Sequence, residues 1–494
     1  MQRDHSSADG ARMAVNPNYD ASVANPVALM RYLTDQRITV SESELMTFDF
    51  IAQGTLPSIS FDAGDAAWAV GYERREYSLV TTTPARAGPT STNELTNIHN
   101  GDLYPCLIPE QNETAAGRAA CASNPVGLFM FLAPTFDSDQ DQDVDSLFAE
   151  LALPVSDDLD VQLAIRYEDY GTVDSIDPKV VVRYSPTDTV TLRFTGQTTF
   201  RAPHPDETWD KRYTQLSYVN QTQAFKAVDI TGNAKLDPEE ATTYNVGIIT
   251  DFGTENWTAT VDYYNFEFDN PIIFENHQQL ANAYEAGGAS KAAVQDQIYG
   301  PGNVNDGSFA ADDIGRIKAN LVNGPSTETD GLDIFVKYED AYADGMMAVG
   351  VEAAYVMDYS VAAYSIGGSE VAAAYECAGY FNINNTCRPM PDLKAKAFVN
   401  YTTDEHNVYG AVNYISSYID RRASGAFKST IEIAPHTTLD ATYTYSWDDF
   451  SMAFSAYNLT DEQPPFTSWE MSYDPNTHSP LGRYLKVGFT YNMQ

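Results

Sequence analysis

Residues 482–493 read G-R-Y-L-K-V-G-F-T-Y-N-M, and from Leu485 onward they alternate: Leu485, Val487, Phe489, Tyr491 and Met493 on one face, Lys486, Gly488, Thr490 and Asn492 on the other. Successive side chains of a strand point to opposite sides, so this stretch predicts a strand with one apolar and one polar face. One such strand decides little, but the pattern recurs along the chain. Val161, Leu163, Ile165 and Tyr167 alternate with Asp160, Gln162, Ala164, Arg166 and Glu168. Further runs begin at Met46, Trp68, Leu147, Val180, Val190, Thr242, Trp257, Leu332, Met347, Leu393, Val408, Leu439 and Phe450. These make about fifteen strand candidates of roughly ten residues, the length a tilted strand needs to cross a bilayer.

Bulk composition restricts the choices. The chain has 494 residues, 12% of them aromatic with 32 Tyr, and a mean hydropathy of −0.35. No stretch approaches the roughly 18 apolar residues of a spanning helix. A formal net charge of −40 argues against a nucleic-acid partner, because phosphate binding rests on Lys and Arg. The start, Met1-Gln-Arg-Asp-His-Ser-Ser-Ala-Asp-Gly10, has neither the charged nor the apolar part of a secretory leader, so an exported chain would be mature or truncated. Four cysteines lie in two local pairs, Cys106 with Cys121 and Cys377 with Cys387, in polar, turn-rich segments. That arrangement predicts two disulfides in an oxidising compartment. Free thiols or a Cys₄ metal site are the alternatives, and the C-x₂-C spacing of a zinc site is absent.

The connections distinguish a membrane barrel from a soluble sandwich, which would alternate equally well. Short links (156–159, 185–188, 253–256, 342–345, 403–407, 447–450) alternate with long ones (79–142, 200–240, 269–312, 360–391, 418–436, 459–481), and only the link near 170–178 is short where a long one is due. Long and short loops segregated to opposite ends describe an outer-membrane barrel with turns in the periplasm. If the C-terminus lies in the periplasm, the strand near 45–53 runs inward from outside. The chain then begins in an external loop remnant, residues 1–40, and an odd strand count leaves two open edges. The expectation is an all-β, transmembrane, antiparallel up-and-down barrel over residues 41–494, with something upstream missing.

Five segments carry a family resemblance: Thr199-Phe-Arg-Ala-Pro-His-Pro-Asp-Glu-Thr-Trp209, Leu236-Asp-Pro-Glu-Glu240, Asn323 through Asp333, Tyr457-Asn-Leu-Thr-Asp-Glu-Gln463, and Leu481-Gly-Arg-Tyr484 through Tyr491. In order and spacing they resemble landmarks of the TonB-dependent outer-membrane receptors. Asp333 stands for the family's Glu, Thr460 for a Phe and Pro464 for a Tyr, and the chain ends on Gln494 instead of an aromatic residue. The resemblance implies a barrel of twenty-two strands, of which about fifteen are present. It also implies an N-terminal plug, not visible before Ser41, through which the TonB-ExbB-ExbD complex would act. Importing a siderophore, cobalamin or an oligosaccharide across the outer membrane of a Gram-negative bacterium is the implied function. The implied surroundings are outer-membrane lipid and a small-molecule or oligosaccharide ligand. The alternatives are a passive porin-like channel and a soluble β-sandwich binding module.

Sites of chemistry are sparse. No nucleophile elbow, zincin, P-loop or Rossmann pattern occurs in a supporting context, so neither an enzyme nor a cofactor is expected. His204, His277, His436 and His478 fall in predicted loops, where exposed histidines are the default. Asp137 to Asp143 places carboxylates at alternate positions in what reads as an acidic loop (137–145); a calcium site there fails the EF-hand pattern at Gln142 and Phe148. Trp209–Phe225 and Phe274–Tyr299 are rich in Tyr, Asn and Gln, side chains that stack on and hydrogen-bond to sugars or chelates. Ser290–Ile298 is expected to form a short helix capped by Ser290, and Pro26–Thr34 another.

Overall fold

A computed structural model describes residues 40–82, 137–209, 212–252, 256–301, 304–381, 388–421, 431–467 and 471–492, with a few isolated strand residues between them. The expected strands are present, several longer than a bilayer requires. They are β1 (Val40–Phe61), β2 (Gly64–Thr82), β3 (Ser138–Ser156), β4 (Leu159–Asp169), β5 (Asp174–Thr187), β6 (Val190–Arg201), β7 (Glu239–Phe252) and β8 (Trp257–Asp269). The series continues with β9 (Thr327–Tyr342), β10 (Gly345–Val361), β11 (Leu393–Thr402), β12 (His406–Ile415), β13 (His436–Trp447), β14 (Phe450–Tyr457) and β15 (Tyr484–Tyr491). Each pairs antiparallel with its neighbour in sequence, and a short sixteenth strand, Tyr375–Glu376, adds to the end of β10. Among the described residues β1 and β15 have no pairing with each other. The expected helix at Pro26–Thr34 lies outside the described residues, as does nearly all of the 1–40 remnant.

The register aligns faces across the sheet. Leu163 sits opposite Leu151 and Val180, extending one apolar face over β3, β4 and β5. That face is not packed against a second sheet: Leu163 is 42% exposed and Leu485 76%. A soluble sandwich would bury both, whereas a membrane wall presents them to lipid. The two-residue connections of the wall fall at one end, as Asp62–Ala63, Asp157–Asp158, Asp188–Thr189, Ala343–Asp344 and Asp448–Asp449, while the short link 170–173 between β4 and β5 lies at the other. Aspartate suits such turns; Asp448 adopts a left-handed φ of 46° that its short polar side chain tolerates. Just inside these turns runs an aromatic belt. Trp257 lies 5.6 Å from Phe252 and 4.9 Å from Tyr338, and Phe450 lies 4.6 Å from Tyr491. Such girdles mark a membrane–water interface.

At the loop end, two segments read as capture loops build a folded cap. Strands Arg212–Val219, Ala224–Thr231, Ile272–Phe274, Ile298–Tyr299 and Arg316–Asn323 make a small sheet. Its central joint is parallel, with Ala227–Thr231 beside Arg316–Asn320. After a one-turn helix at the base of the cap, α1 (Pro205–Thr208), come α2 (His277–Ala286) and α3 (Gly288–Val294). The two longer helices cover the sheet around Val228, Leu280, Tyr284, Ile298 and Ile317.

The helix expected at Ser290 starts earlier. Gly287, at φ 76°, occupies the cap position with no side-chain bond, and Ser290 lies inside α3, where its hydroxyl donates to the Glu370 carbonyl at 3.2 Å. The helix at α2 was not anticipated; it is capped by Asn276 Oδ1, which accepts from the amides of Gln278 and Gln279. The acidic 137–145 segment is not a loop. From Ser138 it is the outer end of β3. There Arg74 of β2 reaches Asp143 at 2.8 Å and Asp145 at 2.9 Å, and among the described residues no group of three His, Cys, Asp or Glu is placed to hold a metal.

The two faces of β4 give opposite expectations for one chemical change. Leu163→Arg is expected to lower folding stability in lipid vesicles by roughly 2–4 kcal/mol, while Gln162→Arg, on the other face, leaves it nearly unchanged. Urea titration of vesicle-folded protein measures both, and equal losses would contradict the assignment of faces.

Candidate functional site

The inward face of the wall is a sequence of internally paired charges. Glu73, Ser146 and Glu168 lie side by side across β2, β3 and β4. Arg75 reaches Glu168 at 2.8 Å, and Arg166 bridges Glu73 at 3.2 Å and Glu168 at 2.8 Å. Further round, Arg193 on β6 grips Asp262 on β8 through two hydrogen bonds although β7 separates them. Gly247 makes this possible, since it is paired to both and a Cβ there would lie 2.0 Å from Asp262 Oδ1. Beyond it, Lys396 pairs with Glu352 at 2.8 Å, and Asn413 donates to Asp440 at 2.8 Å. Asp262, Glu352, Lys394, Lys396 and Asn413 line a shallow concavity of about 490 Å³. This surface is wet and polar, and most of its charges are already neutralised within the wall.

The five sequence motifs meet one another at the loop end. Arg201, of the first, binds Glu239, of the second, at 2.5 Å and also Glu207 of its own segment at 2.8 Å. His204 and Glu207 form a reciprocal capping box on α1. Asn323, opening the third motif, donates to the Asp237 carbonyl and accepts from the Asp237 amide, both at 2.8 Å. In the fourth, Asn458 and Asp461 take left-handed turns, and Asp461 accepts the amide of Arg483 from the closing motif at 2.8 Å. Each motif is thus one half of a clamp that closes the base of a loop. A family model described as TonB dependent receptor-like, beta-barrel, matches residues 4–459.

The chain belongs to that family.

The receptor family resides in the Gram-negative outer membrane, so the apolar face of the wall meets lipid and the loop end is external. Among solved structures the chain is similar to a mutant of the ferric enterobactin receptor from Pseudomonas aeruginosa in complex with enterobactin, with TM-score 0.58 and 14% identity over 91% of this chain and 54% of that one. It is similar also to the siderophore receptor PirA from Acinetobacter baumannii, with TM-score 0.56 and 15% identity over 91% of this chain and 55% of that one. The chain spans about half the length of the receptors it matches. No curated protein matches it.

On the receptor's external side the sequence-predicted residues are dispersed. Cys106, Cys121 and Cys387 lie outside the described residues; Cys377 is buried and disulfide-bonded. His204 stacks edge-on against Tyr77, and His277 lies within 3.3 Å of the Tyr218 carbonyl at the start of α2. His436 and His478 are not exposed loop residues. Both are buried, with ring centroids 5.0 Å apart. They form a polar cluster that no local pattern announces, since Tyr418 donates to Asp474 at 2.7 Å and lies 3.1 Å from His478 Nε2. Burial and the Asp474 carboxylate push the Tyr418 phenol up. Burial, helped by the neighbouring His436, pushes the His478 imidazole down to about 4, and burial lowers that of His436 too.

These imidazoles are therefore neutral in the fold and would charge more readily in the unfolded chain, where the pKa is about 6.5. The cluster has its full stability above pH 6.5 and loses it progressively as pH falls towards 4, by roughly 3 kcal/mol for His478. Hydrogen-exchange protection in 471–481, taken relative to the intrinsic rate at each pH, is expected to fall between pH 6.5 and 4.5, and His478→Phe to flatten that response. An unchanged pH profile in the variant would refute the assignment.

Proposed function

We propose that this chain supplies the wall, lumen and external capture surface of an energy-dependent importer of a scarce nutrient, of the siderophore, cobalamin or oligosaccharide class. The observation that carries the reading is the cap. Two external loops have been built into a packed structure with its own core over a polar, ion-paired lumen, as ligand capture followed by passage requires. In this reading a plug segment couples the lumen to the TonB-ExbB-ExbD complex of the inner membrane, and no catalytic step is involved. The structural relatives, described as siderophore receptors, support the siderophore class first. The test is uptake: cells producing the full receptor should accumulate the labelled nutrient only while the inner membrane is energised. Uptake that persists after the proton gradient is collapsed, with ion conductance in lipid bilayers, would make the protein a passive channel instead.

We also propose that Cys106 bonds Cys121 and Cys377 bonds Cys387, each clasping a single external loop. Closing loops this short constrains the unfolded chain by about 3 kcal/mol each. Intact mass should rise by four hydrogens on reduction, with peptide mapping linking the two local pairs. Four alkylatable thiols in the untreated protein would refute the pairing.

A further inference from the structure

A cavity of about 480 Å³ separates the cap from the barrel rim. Val228 and Ile230 of the cap sheet form one side, Val361 at the external end of β10 another, and Phe274, Tyr364 and Tyr375 present aromatic rings. Among the described residues no Lys or Arg lines it, and the one carboxylate that does is Glu275, a residue only 5% exposed. Burying a charge this deeply is costly unless it is compensated. Its carboxylate accepts from the Tyr364 hydroxyl at 2.8 Å, the Asn320 amide at 2.9 Å, Asn320 Nδ2 at 3.3 Å and Gln297 Nε2. All four donors are neutral. Three of them converge on Oε2 and only Tyr364 reaches Oε1, so they orient the carboxylate and leave Oε1 the less occupied oxygen, and among the described residues no ion pair reaches it. Burial and the Glu275 charge push the Tyr364 phenol far up, so that it remains a donor.

The geometry points to a site for an organic cation: a molecule with an apolar body and a primary ammonium or guanidinium group, the charge meeting Glu275 and the body lying among the aromatic and aliphatic walls. Carboxylates and aromatic faces both attract such groups, and most strongly where water is excluded. The volume lies within the range of small-molecule sites. An anionic ligand would meet a carboxylate with no Lys or Arg among the described lining residues to receive it. The inference deepens the import reading by naming the chemistry of one capture cavity; it relies on that reading for its purpose, though not for the binding itself.

Detergent-solubilised receptor titrated with 2-phenylethylammonium, its neutral counterpart 2-phenylethanol and the anion 3-phenylpropionate tests it. Saturable binding of the ammonium compound is expected, at least about ten-fold tighter than either of the others. Glu275→Gln should remove that preference. Because Glu275 also ties the cap together, a second variant, Ala373→Trp, keeps the carboxylate and fills the cavity; it should abolish binding while hydrogen exchange in α2 stays unchanged. The inference is overturned if the three probes bind equally, if no saturable binding occurs, or if either variant leaves the ammonium affinity intact. Ammonium binding without energised uptake would sink the import reading alone, and energised uptake of another nutrient without ammonium binding would sink this inference alone.

Discussion

Within the hydrocarbon of a membrane no water is present to satisfy a peptide group, so every N–H and C=O of a spanning strand must be bonded by its neighbours. This requirement links the rest of the structure. Once Leu163 is paired with Leu151 and Val180, a slip of one residue in β4 would turn its whole apolar set inward and bring Arg166 and Glu168 to lipid. The arrangement of lumen charges is therefore a consequence of the ladder. Arg193 can reach Asp262 only because the register brings Gly247 between them. What the ladder leaves free is the loop end, where the chain returns to water and other interactions take over.

The motifs belong to that border. Arg201 with Glu239, Asp237 with Asn323, and Asp461 with Arg483 each join two strand ends that emerge at a distance in sequence but close in space. Their bonds are short-range and polar, suited to a wet rim where hydrophobic burial offers little. Above them the stabilising term changes again, to the packed apolar core of the cap around Leu280 and Ile317. Three kinds of interaction thus follow one another from turn end to loop end: backbone pairing, polar clamps, then an ordinary buried core.

The wall was legible in the sequence because its signal is local: a period of two with one apolar face, repeated, with short turns at one end. The cap was less so, and α2 shows why. Gln278 is buried, yet it is held by the Asn220 amide and Gln221, partners that local sequence does not place beside it, as well as by Asn282 one turn on in α2. A helix whose inner face includes such residues lacks a clean apolar stripe, although Asn276 as a cap and the spacing of Leu280 and Tyr284 were available signals. Alternating aspartates before Leu147 had the period of a strand, and reading them as a loop followed from their polarity; the compensating Arg74 comes from another strand. His436 opens β13 and His478 comes from the loop before β15, so their burial against each other depends on the fold itself.

The parallel joint between Ala227–Thr231 and Arg316–Asn320 joins two loops that leave the wall at different places. Their backbones share hydrogen bonds and a core, so neither can be exchanged for a foreign loop by itself without exposing the partner's strand edge. Transplanting binding specificity among such barrels would therefore require both segments to travel together. For this protein the unit of inheritance at the outer surface is a pair of loops, and divergence in one is constrained by the shape of the other.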